Sequence, residues 1–184
     1  MNRKAAALKS FKKKFDGNRN LKILKSALGS SEKEDELMIC NENNECSTLS
    51  RDFISAYAGL SGFHWQGAEK IKVTILDKLF KLHGIPKFCK IDVEGYESEV
   101  FLGMKKPARF IALEFNKLLL NDTAKSLDIL QSLGNRRYNF IKYEIMNLVL
   151  DKWIPVRKFR DQLDSFLNPD IWTGEIIVDF YDQQ

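Results

Sequence analysis

The sequence predicts an α/β fold in which a mainly parallel sheet ends in an antiparallel pair of strands. Short apolar runs typical of buried strands alternate with helical segments through the middle of the chain, which is the pattern of βαβ units. The last two predicted strands have no long helix packed between short turns, so we expect them to pair antiparallel at one edge. A length of 184 residues with 44% hydrophobic content suits one core and is short for two. We therefore predict a single domain over residues 1–184.

The first fifty residues are predicted to form one helix and three short strands. Residues 3–15 suit a helix, because Leu8, Phe11 and Phe15 recur at helical spacing and Gly17 offers a stop. Apolar and polar residues then alternate, which is typical of a strand, and a polar loop separates two further apolar segments that can form a hairpin. The predicted strands of this region are 21–28, 36–40 and 46–49.

Residues 51–69 follow neither a helical nor a strand period. Aromatic side chains concentrate here among three glycines. The pattern is typical of a binding loop, and equally of a surface segment whose aromatic rings form a satellite cluster. His64 is a candidate substrate contact or general base in this segment. His83, at the predicted end of a helix, fits a structural role because a positive charge is stabilising there.

Strands and helices alternate through the rest of the chain. Thr74 is predicted to cap a helix at 75–83, with Asp77 at its third position. Arg136 and Arg137 are expected in a solvated turn. The remaining predicted strands are 71–74, 88–93, 109–115, 138–145 and 175–181, and the remaining predicted helices are 98–104, 123–133 and 156–167.

The net charge of +4 is unevenly distributed, with nine Lys or Arg residues and a single acid in residues 1–25. We interpret this segment as a solvated helix face and predict neither a nucleic-acid nor a membrane partner. No apolar run approaches the ~18 residues of a membrane span, and charges interrupt the N-terminus where a secretory signal is apolar. Three cysteines without CxxC spacing favour neither a zinc site nor a disulfide framework. We expect reduced thiols and a cytoplasmic location.

Acidic residues close two neighbouring predicted strands. Asp92 and Glu94 end the first, two residues apart and hence on one face, and Glu114 ends the second. Ligands of parallel α/β sheets bind beyond these strand ends. Carboxylates brought together raise one another's pKa, so such a cluster is tolerated where it binds a cation, a sugar hydroxyl or a positively charged ligand. Glu97 is interpreted as a residue that starts a helix, where its charge meets the positive helix end.

Three motifs stand in order over residues 73–116: a helix containing LDKL, the strand–turn–helix KIDVEGYESEVFLG, and a strand ending in LEFN. This combination resembles the C-terminal half of the FkbM family of S-adenosylmethionine-dependent methyltransferases. The segments SALGS at 26–30 and STLS at 47–50 also resemble family features. The resemblance covers most of residues 4–116.

The resemblance implies a class I methyltransferase (Rossmann-like) fold with strand order 3-2-1-4-5-7-6. It implies transfer of a methyl group from S-adenosylmethionine to a hydroxyl of a saccharide or another small-molecule natural product. The implied catalytic residues are Asp92, Glu94 and Glu114, and the implied cofactor contacts are Ala27, Leu28 and Asp92. An acid beside a cationic sulfonium makes physical sense, because in-line displacement needs positioning and charge stabilisation more than covalent help.

The glycine-rich cofactor loop of the family has no counterpart, since no two of the ten glycines are separated by a single residue. We therefore expect an N-terminally incomplete domain without the first two family strands. Besides a methyltransferase, two further interpretations stand: a non-catalytic remnant, and a divalent-cation site at the three acids. The open sheet edge predicts either docking of residues 21–28 beside the strand at 88–93, or self-association into a homo-oligomer.

Overall fold

The computed structural model describes residues 18, 20–40, 43–142, 147–166 and 173–181. Its strands are β1 Ala27–Leu28, β2 Lys33–Cys40, β3 Trp65–Thr74, β4 Phe88–Ile91, β5 Phe110–Asn116, β6 Arg136–Lys142 and β7 Thr173–Phe180. Its α-helices are α1 Arg51–Tyr57, α2 Leu76–His83, α3 Glu97–Leu102, α4 Leu120–Ser132 and α5 Val156–Phe166. The α/β class is confirmed. The helix predicted at 3–15 lies outside the described residues.

The strands form two mixed sheets, ordered β1-β3-β2 and β4-β5-β7-β6. The pairs β1–β3 and β4–β5 are parallel. The pairs β2–β3, β5–β7 and β6–β7 are antiparallel. The antiparallel pair near the C-terminus is therefore confirmed, with β7 inserted between β5 and β6. A mainly parallel sheet is not confirmed, because β7 is antiparallel to both of its neighbours and the long antiparallel pair β2–β3 makes up most of the other sheet.

Period-two alternation gives the four-stranded sheet an apolar face and a second, more polar face. The apolar face carries Ile91, Ile111, Leu113, Phe115, Tyr138, Phe140, Ile176 and Val178. Buried residues of α3, α4 and α5 belong to the same core, and the Phe159 ring of α5 lies 5.5 Å from the Tyr138 ring. Burial of these side chains away from water is the main contribution that stabilises the packing of the helices on the sheet. Because the helices cover the apolar face, the second face is left to line a cleft.

The sequence predicts an irregular segment at 51–69, and the structure corrects this at both ends. Ser50 caps α1, since its hydroxyl accepts the Phe53 N–H at 3.0 Å, and β3 already begins at Trp65. No helical period marks this helix in the sequence, because Phe53 is its single buried residue. The rings of Phe53 and Tyr57 stack at 4.5 Å, and those of Tyr57 and Phe63 lie 4.6 Å apart. The satellite-cluster interpretation of these aromatics is confirmed.

Of the strand predicted at 21–28, only Ala27–Leu28 forms a strand, and it pairs with β3. The predicted docking beside β4 is therefore wrong. The edge of β3 opposite β2 offers β1 a partner, and the pairing continues as the Gly29 N–H donates to the Thr74 carbonyl at 3.0 Å. Leu24 is 50% exposed, so the alternation of apolar and polar residues that precedes β1 does not correspond to a buried strand face. The strand predicted at 46–49 is reduced to a single bridge between Met38 and Thr48.

The predicted cap of α2 is also wrong. The N-cap position is Ile75, which makes no side-chain cap hydrogen bond, because Thr74 still belongs to the β3 ladder. The Asp77 carboxylate instead accepts the Lys105 N–H at 2.8 Å, tying the start of α2 to the segment after α3.

Arg136 and Arg137 lie in β6 and not in a turn. The Arg137 side chain donates to the Asp179 carboxylate at 2.8 Å, and its guanidinium lies 5.4 Å from the centre of the Trp153 ring. Asp179 is 1% exposed and also pairs with Arg109. A buried carboxylate needs such cations, which explains arginines in a strand.

All three cysteines are free. Within the described ranges, no helix combines the length and the apolar character required to cross a bilayer.

Candidate functional site

A cleft of about 900 Å³ lies over the second face of the four-stranded sheet. Successive side chains of a strand point to opposite faces of the sheet, so the residues between the buried ones point into this cleft. Phe88, Lys90, Asp92, Phe110, Glu114 and Glu175 contribute to its lining. The loop before α5 adds Trp153, whose ring centre lies 6.5 Å from that of Phe110. The cleft is thus aromatic near the start of β5 and acidic near its end.

Asp92, Glu94 and Glu114 converge in this cleft, as the sequence predicts. One carboxylate oxygen from each lies within 4.8 Å of the others. The convergence follows from the parallel pairing of β4 with β5, in which Lys90 lies beside Ala112 and Ile91 beside Leu113. Asp92, the first residue after β4, and Glu114, near the end of β5, therefore occupy the same corner of the sheet.

A left-handed turn directs the chain from β4 into α3. Glu94 has a φ of 56° and Gly95 a φ of 80°. The Thr48 hydroxyl donates to the Glu94 carbonyl at 2.8 Å, and the Glu97 carboxylate accepts the Val93 N–H at 3.0 Å. Glu97 begins α3 as predicted, but it is buried, and burial raises the pKa of its carboxyl, which disfavours the charge that the prediction places at the helix end. Thr48, which belongs to the STLS segment, thereby holds the turn that carries Glu94.

Two carboxyl groups of this corner, those of Glu94 and Glu114, bind protons more tightly than free glutamate does. Burial raises the pKa of Glu94 to about 7, and the charges of Asp92 and Glu45 add to the shift. Burial also raises the pKa of Glu114, with repulsion from Glu94 and Asp92 as the next causes. Desolvation of a charge and repulsion between like charges act in the same direction here. Part of the cluster is therefore protonated near neutral pH.

Lys90 and Glu175 complete the polar part of the cleft, and sequence reasoning missed both. The Lys90 ammonium lies 2.7 Å from the Glu175 carboxylate and 3.2 Å from that of Asp92. Glu175 stands directly opposite Glu114 in the β5–β7 ladder. Its only signal in the sequence is a glutamate at the start of the strand predicted at 175–181, and the register that places it beside Glu114 is not evident from sequence.

The other predicted residues lie elsewhere. Ala27 and Leu28 belong to the three-stranded sheet and are not among the residues lining the cleft, so their role as cofactor contacts stays a prediction. His64 is exposed just before β3 and does not line the cleft either. His83 is exposed in the last turn of α2, which agrees with the structural role predicted for it.

A family model described as the methyltransferase FkbM domain matches residues 6–141. This chain belongs to the FkbM methyltransferase family. The match confirms the resemblance carried by the motifs at 73–116 and extends it through most of β6. The FkbM domain therefore includes the acids contributed by β4 and β5, whereas Glu175 lies beyond the matched residues. No curated protein and no solved structure matches the chain.

Replacing Gly95 by alanine tests how tightly the turn is packed. An added Cβ would lie 2.6 Å from Leu119 Cδ1 and 3.1 Å from Phe53 Cβ, at a φ that disfavours side chains. We expect Gly95→Ala to lower the free energy of unfolding by about 2–4 kcal/mol in denaturant titrations. Gly84→Ala is the matched control, because Gly84 has a φ of 86° and open space around its Cβ position. Equal losses in the two variants would contradict the packing argument.

Replacing Glu94 by glutamine tests the raised pKa. Because the native pKa of about 7 lies above the ordinary value of 4.5, folding favours the protonated form. Ionisation of Glu94 therefore lowers the stability of the wild type as the pH rises above the ordinary pKa of 4.5 toward the native pKa of about 7. The quantity to compare is the free energy of unfolding of Glu94→Gln minus that of wild type. This difference should be on the order of 1–3 kcal/mol more favourable to the variant at pH 8 than at pH 4.

The measurement is denaturant unfolding at both pH values. Glu36→Gln on β2 serves as the control, because Glu36 is exposed and distant in sequence from the cluster. A difference between Glu94→Gln and wild type that is the same at pH 4 and pH 8 would show that Glu94 ionises without this cost.

Proposed function

We propose that this chain is an S-adenosylmethionine-dependent methyltransferase domain that acts on a hydroxyl of a saccharide or related natural product. Membership of the FkbM family supports methyl transfer in general. The observation that carries the proposal is the convergence of Asp92, Glu94 and Glu114 in the cleft. The last four strands of the chain are ordered β4-β5-β7-β6, and this agrees with the order 4-5-7-6 of the last four strands in the class I sheet.

The carboxylates of the cleft suit the sulfonium end of the proposed cofactor. Carboxylates in a partly buried site stabilise a nearby cation such as a sulfonium. The proposed contacts for the adenine end, Ala27 and Leu28, lie in the other sheet. When bound, the cofactor supplies an electrophilic methyl group.

The residues of the chain have separable roles in this proposal. Glu94 is the general base, because a pKa of about 7 allows it to accept the hydroxyl proton of an acceptor near neutral pH. Asp92 faces the cationic end of the cofactor, and Glu114 accepts a hydrogen bond from the acceptor. The rings of Phe110 and Trp153 offer apolar faces on which a sugar ring can lie.

Calorimetric titration with S-adenosylmethionine and S-adenosylhomocysteine tests cofactor binding. We expect heat with both ligands. Asp92→Asn should weaken binding of S-adenosylmethionine by about tenfold and that of S-adenosylhomocysteine much less, because only the former carries the sulfonium charge. Asp161→Asn, at an exposed position on α5, is the control.

An absence of heat with either ligand at millimolar concentration would overturn the proposal and favour the non-catalytic remnant. If heat appears, transfer of labelled methyl groups to a panel of hydroxylated acceptors follows. Glu94→Gln should lower that transfer by about 100-fold or more.

A divalent-cation site is the second candidate function, favoured by the spacing of the three carboxylates. Oxygen atoms within 4.8 Å of one another can share one hard cation. Millimolar magnesium or manganese should then raise the melting temperature by about 2–4 °C or more, an effect lost in Asp92→Asn and kept in Asp161→Asn. A melting temperature insensitive to both metals would exclude this function.

A further inference from the structure

We propose that Thr48 is a positioning residue of the candidate site, which fixes the place of Glu94 relative to Asp92 and Glu114. The Thr48 hydroxyl donates to the Glu94 carbonyl at 2.8 Å, across a separation of 46 residues in the sequence. Thr48 is not among the residues that line the cleft, so it acts through Glu94 and not on a ligand. The inference rests on the proposed function, in which Glu94 is the general base.

The direction of the Thr48 hydroxyl is fixed, because its donor and its acceptor are both used. Its oxygen accepts the Ser50 N–H at 2.8 Å, and its single proton goes to the Glu94 carbonyl. Thr48 is 1% exposed, so water does not compete for these bonds. A buried hydroxyl held in this way keeps the carbonyl that it binds in one place.

The main chain of Thr48 is held by the three-stranded sheet. The Met38 N–H donates to the Thr48 carbonyl at 2.9 Å, and the Thr48 N–H donates to the Met38 carbonyl at 3.1 Å. Met38 lies in β2, which pairs with β3 over its whole length. Glu94, in contrast, follows β4 of the other sheet. The Thr48 hydroxyl therefore connects the two sheets at the residue that carries the proposed base.

Glu94 needs this contact because of its backbone conformation. Its φ of 56° is one that residues with a side chain rarely adopt, and surrounding contacts must hold it. The Glu97 carboxylate holds the preceding residue, since it accepts the Val93 N–H at 3.0 Å. Thr48 holds Glu94 itself. Without the hydroxyl we expect Glu94 to return to a negative φ, which moves its carboxylate away from the other two acids.

Thr48→Val tests this role, because valine resembles threonine in shape and lacks the hydroxyl. The assay is transfer from labelled S-adenosylmethionine to whichever of a panel of methyl glycosides wild type methylates fastest. The kcat should fall about 10- to 100-fold, because a base displaced by about 1 Å loses its alignment with the acceptor. The KM of both substrates should stay within about twofold, since Thr48 does not line the cleft.

Two control variants accompany this measurement. Thr48→Ser keeps the hydroxyl and should retain the kcat of wild type. Thr123→Val is the matched control, because Thr123 is 4% exposed and its hydroxyl also donates to a backbone carbonyl, that of Leu119. It removes a buried hydrogen bond of the same kind away from Glu94 and should leave kcat unchanged.

A double variant separates positioning from a general loss of stability. In the Glu94→Gln background, Thr48→Val should lower kcat by less than about twofold, because the base through which Thr48 acts is already absent. A further tenfold loss in that background overturns the inference, as does an unchanged kcat in Thr48→Val alone.

Failure of the proposed function would be recognised separately, by a wild type that binds no S-adenosylhomocysteine and transfers no methyl group. Crystal structures of Thr48→Val and Thr48→Ser then decide the role of Thr48. Glu94 should have a negative φ in the first and a positive φ in the second, and a positive φ in both overturns the inference. If circular dichroism shows that Thr48→Val does not fold, Thr48→Cys replaces it, because a thiol is a weaker donor of similar size. A kcat or a Glu94 φ equal to that of wild type in this variant overturns the inference.

Discussion

The left-handed turn at Glu94 and Gly95 is the constraint on which the rest of the site depends. A side-chain-bearing residue in this conformation costs about 1–2 kcal/mol, so surrounding contacts must hold it. The buried Thr48 hydroxyl holds the Glu94 carbonyl, and the Glu97 carboxylate holds the strand end just before it. Phe53 closes against Gly95 from the satellite cluster. The aromatic cluster therefore does more than bury its own rings, because Phe53 packs against the turn that carries Glu94 and Gly95.

Charge is unbalanced in the corner that this turn creates. Five carboxylates share the cleft with Lys90, and they are those of Glu45, Asp92, Glu94, Glu114 and Glu175. The ammonium of Lys90 is already engaged by two of them, at 2.7 and 3.2 Å. Burial, followed by repulsion from neighbouring acids, raises the pKa of both Glu94 and Glu114. Such a corner is unfavourable for stability alone, and either a bound cationic ligand or a proton reduces the repulsion within it.

The sequence predicted most of the strands and the three-acid cluster, because these depend on local patterns and on one rule of parallel sheets. Asp92 and Glu114 could be placed together since both close adjacent parallel strands. Glu175 could not, because its position depends on the register of β7 against β5, which is set by packing of the whole apolar face. Helix α1 was missed because it is seven residues long and buries Phe53 alone. The placement of β1 depended on which of two open edges it would meet, and no local pattern decides that.

Protonation distinguishes the chemical roles open to this cleft. A general base must be ionised when it meets the acceptor hydroxyl, and a pKa of about 7 at Glu94 leaves it ionised in about half of the molecules at that pH. A cation entering the cleft would favour the ionised form and lower the pKa of Glu94, so its binding would release protons. A sulfonium and a metal ion both act in this direction, but they differ in position. Only a cation that leaves the Glu94 oxygens accessible permits base catalysis, whereas one that bridges all three acids occupies the lone pairs that the base requires.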